Sequence, residues 1–256
     1  MEGEKGTNKY VDTFLRFIRE EDKTNMEYFY LKSLTRTYQK VGSTTDTATL
    51  LANSEISYEE ADFLLNYSGF NYKHINAVLR DTWNYEENGD ISKVNDYHRI
   101  VSNLQKIIME HPTTLNDNIT VYRGVTLSYF KRYGVESLED LKLLEDRYIL
   151  DRGFVSTSIH EDKCFFKKEN DLGLNYNVKI EYMLPYEFKD GIYLNDETSY
   201  TPMQEEYLIN SANLSKVSSV TINDDNTAVI RAMIIPKQLY DDYYRLKVNN
   251  KDKNKQ

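Results

Sequence analysis

The first half of the chain repeats its apolar residues with a helical period. Between Val11 and Ile18 these residues fall at positions i, i+3, i+4 and i+7, which predicts an amphipathic helix. A second, less regular helical stretch covers residues 26–40, and the polar stretch 42–54 is predicted to be a loop. We therefore expect residues 1–54 to form a helical extension ahead of the main domain.

A helix start is predicted at Ser57. Ser57 and Glu60 have the S-x-x-E spacing of a capping box, in which each side chain bonds the backbone N–H of the other residue. Gly69 is the expected C-cap of this helix, because glycine readily adopts the left-handed conformation found there. A further helix is predicted over residues 71–81.

A long amphipathic helix is predicted next. Apolar residues and His98 recur along one face between Val94 and Ile108, and the helix is expected to stop near Pro112. The sequence Asn-Gly-Asp at 88–90 predicts a turn just before it.

From residue 119 onward the helical period gives way to the two-residue alternation of strands. Residues 178–184 alternate cleanly, residues 224–226 predict a hairpin turn, and two short helical pieces are predicted within 127–145. Helices followed by a largely antiparallel set of strands define an α+β fold. The predicted strands are 119–122, 153–159, 178–184, 192–194, 205–210, 217–222 and 227–235.

Composition limits the classes of function. The net charge of −9 disfavours a nucleic-acid binder or an anionic-membrane binder. A single cysteine, Cys164, excludes an internal disulfide and a cysteine-based zinc cluster. No stretch approaches the roughly 20 apolar residues of a membrane span, and the N-terminus lacks the apolar core of a signal peptide.

The motifs of several common enzyme classes are absent from the sequence. There is no G-x-G-x-x-G, no G-x-x-x-x-G-K-[ST] and no G-x-S-x-G. The four histidines are scattered and no H-E-x-x-H occurs, so no metal site is predicted. Rossmann, kinase and classical hydrolase functions lose their main support.

Three predicted strands carry polar residues at one end. Arg123 follows an apolar strand and precedes Gly124, where backbone can come close to a ligand and a guanidinium fork suits phosphate. Ser156 follows in the sequence Ser-Thr-Ser. Gln204 and Glu206 share one face if the strand alternation extends to both. Each piece is common in strands, and it is their order that is specific.

The order Arg, Ser-Thr-Ser, Gln-x-Glu resembles the R-S-E signature of the mono-ADP-ribosyltransferase exoenzyme toxins. That family includes clostridial Rho-modifying exoenzymes and the actin-modifying subunits of binary toxins. The segment YSGFNYKHINAVLR at 67–80 also resembles a helical segment of the family. The resemblance covers about residues 55–236 and implies a helical N-terminal half followed by a mainly antiparallel two-sheet β core. It makes residues 55–240 the catalytic domain and 241–256 a polar C-terminal tail.

The resemblance also implies a role for each site residue. NAD is the implied co-substrate, with no metal. Glu206 is expected to stabilise positive charge on the ribose, and Ser156 to orient Glu206 by a hydrogen bond. Arg123 and Arg80 are expected to hold the diphosphate. The remaining residues expected to contact NAD are Asn76, Gly124 and Phe165, with Phe165 on the nicotinamide.

Gln204 bears on the acceptor. In the family, Glu at this position accompanies arginine acceptors, and Gln accompanies asparagine in Rho-type GTPases or sometimes glutamine. An amide both donates to and accepts from another amide, so Gln204 favours an Asn or Gln acceptor. A register slip by one residue would instead put Glu205 on the active face. Relatives that modify Rho carry an aromatic where this chain has Thr201.

The resulting prediction is a monomeric bacterial effector, secreted or delivered, that acts on a target protein such as a small GTPase in the target-cell cytosol. Three alternatives stay open at this point. The same site would suit an NAD glycohydrolase, in which water receives the ribosyl group. An arginine-specific transferase acting on another protein such as actin is the second alternative, and a binding module that kept the fold without activity is the third.

Overall fold

The computed structural model describes most of one compact unit, which spans residues 43–234, and the end of the last strand. The predicted helices at 11–18 and 26–40, the loop at 42–54, the turn at 88–90 and the tail lie outside the described residues. The boundaries at residues 54 and 240 stay predictions. The described residues are 56–82, 93–115, 117–167, 175–186, 188–195, 197–200 and 202–237.

The predicted capping box at Ser57 is confirmed. Glu60 N donates to Ser57 Oγ at 3.3 Å, and Ser57 N donates to Glu60 Oε2 at 2.9 Å. Helix α1, Tyr58–Asn66, starts at this cap. The capping box satisfies two backbone donors that a helix start would otherwise leave unpaired.

The prediction that Gly69 ends α1 as a left-handed cap is wrong. Gly69 has φ −81° and ψ −105° and lies inside a π-helical turn, Tyr67–Asn71. This turn carries the chain directly into helix α2, Tyr72–Leu79. The two helices therefore form one kinked unit, and π-turns of this kind are frequent at functional sites.

Helix α3, Val94–Glu110, matches the predicted long helix and ends before Pro112, but His98, which was expected on its apolar face, is exposed. Its apolar stripe packs with residues of α1 and α2 against the sheet. The buried cluster that they form contains Leu64, Ile75, Val101, Leu104, Ile108, Phe154, Ile192 and Leu208. The helices thus cover the part of the sheet that carries Ser156 and Glu206.

Eight strands form one continuous sheet in the order β2-β7-β8-β4-β1-β3-β6-β5. The α+β class is confirmed and the strand pairings are mainly antiparallel, but the predicted two sheets are one mixed sheet, in which β4 and β8 pair in parallel. The strands are β1 Ile119–Val125, β2 Tyr148–Asp151, β3 Val155–Ser158, β4 Val178–Leu184, β5 Gly191–Tyr193, β6 Glu206–Ile209, β7 Asn213–Asn223 and β8 Thr227–Ile235.

One strand, β2, escaped the sequence analysis. Its residues, YILD, are three apolar residues and an acid without polar–apolar alternation, and its pairing with β7 defines it. The predicted helical pieces within 127–145 are 3-10 helices, Leu127–Tyr133 and Glu139–Leu144. They contribute Phe130 and Leu141 to a second buried cluster, with apolar residues of β1, β4 and β8. Among the described residues, no helix is both long enough and apolar enough to cross a membrane.

Candidate active site

Strands β1, β3 and β6 are neighbours in the sheet and bring the three polar motifs together. Ser158 of β3 lies opposite Tyr122 of β1 and opposite Glu206 of β6. Arg123 follows Tyr122, and Ser156 is two residues from Ser158 on the same strand face. The sheet order, which the sequence does not contain, is what makes these motifs adjacent.

Glu206 is a buried acid at the start of β6. Its residue exposure is 4%, and its Oε1 atom has no hydrogen-bond partner among the described residues. Burial raises the pKa of Glu206 to about 7, against the opposing influence of the Ser156 hydroxyl and the Arg123 charge. A buried carboxylate oxygen without a hydrogen-bond partner is costly, and such groups are typical of functional sites.

Arg123 also carries an unpartnered buried atom. Its Nη1 has no hydrogen-bond partner within the described part of the chain. The guanidinium carbon lies 5.4 Å from the centroid of the Tyr129 ring, so the aromatic face supports one side of the cation. The remaining donors can bind an anion, since guanidinium N–H groups fit phosphate well.

Asn76 and Tyr67 link the helices to the strand that carries Ser156. The Asn76 side chain accepts from Phe154 N at 2.8 Å and donates to Tyr67 Oη at 3.1 Å. Tyr67 Oη lies 3.4 Å from Ser156 Oγ. Burial raises the pKa of Tyr67 to about 12, so the phenol stays neutral and keeps a proton to donate. Asn76 is 5% exposed and both ends of its amide have protein partners.

Arg80 is held by a buried carboxylate. Its Nε and Nη2 donate to the two oxygens of Asp151 at 2.8 Å and 2.9 Å. Arg132 Nη2 lies 3.4 Å from Asp151, and Tyr129 Oη donates to it. Burial alone would raise the pKa of Asp151, but these arginines hold it well below its ordinary range. Arg80 is therefore fixed in place before any ligand binds.

Arg80, Arg123 and Arg132 surround the Tyr129 ring. Their guanidinium carbons lie 5.7, 5.4 and 4.8 Å from its centroid. Asp151 compensates one of the three positive charges, which leaves the cluster cationic beside Glu206. An excess of arginine over carboxylate in a partly buried site suits a doubly charged anion such as a diphosphate.

Gly124 allows two chain segments to approach closely. A Cβ at this position would lie 2.5 Å from the carbonyl carbon of Phe165 and 2.6 Å from Phe166 N. Any side chain on residue 124 would push this backbone away. Phe165 itself is 45% exposed, and its ring centroid lies 5.9 Å from that of Tyr176. Because Gly124 has no side chain, the backbone of the Phe165 segment can lie directly against β1.

The geometry around Gln204 differs from the strand predicted over 205–210. Gln204 ends a 3-10 turn, Pro202–Gln204, and β6 begins only at Glu206. Glu205 between them has φ 45°, a left-handed conformation, so strand alternation does not extend to Gln204. Ser158 Oγ donates to the Gln204 carbonyl at 2.7 Å and holds the turn on β3. Gln204 is half-buried.

Several residues of this site were missed by the sequence analysis. Asp151 and Tyr129 lie in segments without a motif, and only the fold brings them to Arg80. Arg132 was hidden in a predicted helical piece. Tyr67 opens the segment that resembles the family, which was the one available signal. Contacts between residues roughly 70 apart in sequence leave no local pattern to detect.

One group of possible metal ligands occurs at a different place. Glu60, Glu110 and His111 each bring a ligand atom within 4.8 Å of the others, where α1 begins and α3 ends. His111 Nε2 lies 3.2 Å from Glu60 Oε1, which explains their proximity as a direct pair. That the protein works without a metal stays a prediction.

Comparison with known proteins agrees with this geometry. The sequence profile of the family described as ADP-ribosyltransferase exoenzyme matches residues 35–237. No match was found among curated proteins.

Solved structures show the same fold. C3stau2 from S. aureus, solved with NAD, aligns with a TM-score of 0.54 at 22% identity over 71% of this chain and 89% of that one. Plx2a, an ADP-ribosyltransferase toxin from Paenibacillus larvae, aligns at 0.52 and 22% over 82% and 96%. The Clostridium limosum C3 exoenzyme aligns at 0.52 and 18% over 82% and 94%.

The fold is that of ADP-ribosyltransferase toxins and exoenzymes. The chain belongs to the ADP-ribosyltransferase exoenzyme family, whose profile covers most of its length. Membership supports a toxin-type enzyme that uses NAD as its co-substrate.

Proposed function

We propose that the protein transfers ADP-ribose from NAD to an asparagine or glutamine side chain of a target protein, such as a Rho-type small GTPase. The observation that carries this proposal is that two buried polar atoms of the site lack hydrogen-bond partners. Glu206 Oε1 and Arg123 Nη1 have no hydrogen-bond partner within the described residues. They belong to β6 and β1, and both of these strands pair with β3. The Glu206 carboxylate can stabilise a positively charged reacting centre, and the Arg123 guanidinium can bind a phosphate.

Glu206 acts on the ribose. As the bond between ribose C1′ and the nicotinamide nitrogen breaks, its electron pair leaves with nicotinamide, which departs neutral. Positive charge then develops on the sugar, and the carboxylate of Glu206 stabilises it, as carboxylates do at glycosidase sites. The acceptor nitrogen forms the new bond to C1′ and loses a proton. Ser156, near Glu206, orients the carboxylate.

Arg123 and Arg80 bind the diphosphate of NAD. Arg123 offers the unpartnered Nη1, and Arg80 adds charge from a position fixed by Asp151. Phe165 packs on the nicotinamide from its segment above Gly124. Asn76 contributes to NAD binding by holding Phe154 and Tyr67, because its own amide is already engaged by them.

Gln204 selects the acceptor. It lies two residues before Glu206, at the end of a turn whose next exposed neighbours are Met203 and Tyr200. An amide there can exchange two hydrogen bonds with an acceptor amide, whereas a carboxylate can only accept. The half-buried position leaves the Gln204 side chain within reach of a docked protein.

The biological setting follows from the same proposal. A monomeric bacterial effector, secreted or delivered to a target cell, would meet both NAD and a small GTPase in the cytosol. The net charge of −9 gives no reason to invoke nucleic acid as a partner.

The test is incubation with labelled NAD and a mammalian cell lysate, beside Glu206→Gln and Gln204→Glu variants. We expect a labelled protein modified at Asn or Gln, absent with either variant. Free ADP-ribose without labelled protein would indicate a glycohydrolase, and label on arginine would indicate an arginine-specific transferase. No NAD consumption by the unsubstituted protein would contradict the proposed function.

A further inference from the structure

The carboxylate of Glu205, the residue between Gln204 and Glu206, lies against a histidine and a lysine of another segment. Glu205 Oε2 lies 2.7 Å from His160 Nε2 and 3.0 Å from Lys163 Nζ, in contacts whose angles are not those of hydrogen bonds. His160 and Lys163 belong to residues 159–167, here called the Phe165 loop, which follows β3. Residues 202–205 are here called the acceptor turn. The side chain of Glu205 therefore connects the acceptor turn to the Phe165 loop.

The backbone connects the same two segments closer to the sheet. Ile159 N donates to the Glu205 carbonyl at 3.1 Å, and Ser158 Oγ donates to the Gln204 carbonyl at 2.7 Å. These bonds fix the base of the acceptor turn whatever side chain residue 205 carries. The contacts to His160 and Lys163 lie farther out along the loop and depend on the glutamate.

Glu205 keeps an unfavourable backbone conformation. Its φ of 45° is strained for a non-glycine residue, and such residues persist where surrounding contacts over-determine them. Glycine or asparagine would adopt this conformation more easily. The turn itself does not require a glutamate here, so the contacts of Glu205 with His160 and Lys163 are a specific feature of this position.

The Phe165 loop has an independent anchor on the sheet. Lys179 of β4, only 6% exposed, pairs with Glu161 of the loop and with Glu181. The backbone of Phe165 and Phe166 also lies directly on Gly124. Loss of the Glu205 contact therefore leaves the loop attached to the sheet and changes only its position relative to the acceptor turn.

We propose that Glu205 is a positioning residue that sets the acceptor turn against the Phe165 loop, and so determines how much ADP-ribose reaches a protein instead of water. The inference rests on the proposed function. The turn carries Gln204, which faces the acceptor, and the loop carries Phe165, which faces nicotinamide. A misplacement of about 1 Å between reacting partners can lower a rate about a hundredfold.

A protein side chain and a water molecule differ in the positioning that they need in order to accept ADP-ribose. In both cases the C1′–nicotinamide bond breaks with its electron pair on nicotinamide, and the acceptor N–H or O–H loses a proton as it bonds to C1′. A docked side chain must be oriented by the acceptor turn, whereas water needs no such orientation. Displacement of the turn should therefore reduce protein modification more than NAD hydrolysis.

The experiment measures the ratio of protein-bound label to free labelled ADP-ribose, with total nicotinamide release beside it. The probe is labelled NAD with a mammalian cell lysate. The variants are Glu205→Gln, Lys163→Met and the two combined. Glu205→Gly removes the side chain while relieving the backbone, so a folding defect would not mimic the effect. Glu197→Gln, at an exposed glutamate near the turn, is the control.

We expect Glu205→Gln, Glu205→Gly and Lys163→Met each to lower the ratio about tenfold, with a smaller fall in nicotinamide release. The combined variant should be no worse than Glu205→Gln alone, because Lys163→Met removes a contact that Glu205→Gln already removes. Glu197→Gln should match the unsubstituted protein.

Two kinds of failure are distinguishable. An active unsubstituted protein whose ratio is unchanged by Glu205→Gln, or whose two substitutions add independently, would overturn this inference alone. Nicotinamide release with no labelled protein would overturn it too, because water would be the sole acceptor. No nicotinamide release from the unsubstituted protein would overturn the proposed function and this inference together.

Discussion

At the scale of single residues, the site contains polar groups that favour water and are nevertheless buried. Burial opposes the ionisation of Glu206. Arg123 has a buried N–H donor, Nη1, without a hydrogen-bond partner among the described residues. Both could be selected from the sequence because the order Arg, Ser-Thr-Ser, Gln-x-Glu resembles the signature of the family. Their protonation and their lack of partners come from burial, which only the fold provides.

Glu206→Gln should make the protein more stable at alkaline pH. Burial raises the pKa of Glu206 from its ordinary value of 4.5 to about 7, so the folded state binds a proton that the unfolded chain releases. Stability therefore falls as pH rises from 4.5 to about 7, by about 3 kcal/mol in total. In Glu206→Gln a neutral amide replaces the carboxylate, so this loss of stability with rising pH does not occur.

Thermal unfolding at pH 8 and at pH 5 would measure the effect. We expect a higher Tm for Glu206→Gln at pH 8 and little difference at pH 5, where both side chains are neutral. Equal Tm values at pH 8 would mean that the carboxylate has a charge partner absent from the described contacts.

NAD turnover should depend on the same ionisation. Only the carboxylate form of Glu206 stabilises a cationic sugar, so kcat/KM for NAD should rise with pH through about 7 and then level off. Initial rates of nicotinamide release between pH 5.5 and 8.5 would test this. A flat profile across that interval would show that Glu206 is already ionised at pH 5.5.

At the scale of elements, contacts between α2, β2 and the 3-10 helix Leu127–Tyr133 prepare the cationic cluster. Arg80 comes from the end of α2 and Asp151 from β2. The sequence analysis predicted α2 and singled out Arg80, but it missed β2 and with it the carboxylate. The sequence YILD of β2 shows no polar–apolar alternation, so only its pairing with β7 reveals the strand.

Asp151→Asn should strongly destabilise the protein. Removing the carboxylate leaves Arg80 and Arg132 as buried charges without compensation, and breaking a buried ion pair from one side typically costs 3–5 kcal/mol. Urea unfolding monitored by circular dichroism would measure the loss.

Asp225→Asn is the matched control, since Asp225 pairs with Lys167 at the surface. Exposed pairs contribute little, so we expect nearly unchanged unfolding for this variant. Similar midpoints for the two variants would indicate that Asp151 is dispensable for the fold.

At the scale of the whole molecule, helices α1 to α3 cover one part of a continuous sheet, and the reacting groups lie on three adjacent strands of it. The helices predicted from periodicity appear where expected from residue 57 onward, because their apolar stripes are long and regular. The boundaries at 54 and 240 stay predictions.

NAD should stabilise the entire fold. A ligand that binds only the folded state at 100 times its Kd adds about 2.7 kcal/mol, which corresponds to several degrees in Tm for a protein of this size. Differential scanning fluorimetry with and without NAD would measure the shift. Arg123→Met should reduce it by removing a phosphate ligand.

Arg99→Met, at an exposed arginine of α3, is the control and should keep the full shift. Each variant is compared with its own Tm without NAD, so a general loss of stability does not enter the comparison. A full shift in Arg123→Met would argue against its role on the diphosphate.

The sequence by itself determined the α+β class, the helices with regular apolar stripes, and the order of the Arg, Ser and Gln-x-Glu motifs that indicates the family. These features rest on local periodicity and on residue identity, which a chain displays without folding. The tertiary structure decided the rest: the single sheet with a parallel pair, the Arg80–Asp151 contact, the turn that separates Gln204 from β6, and the contacts of Glu205 with His160 and Lys163. Each of these depends on residues far apart in sequence, and their interaction exists only once strand order and burial bring them together.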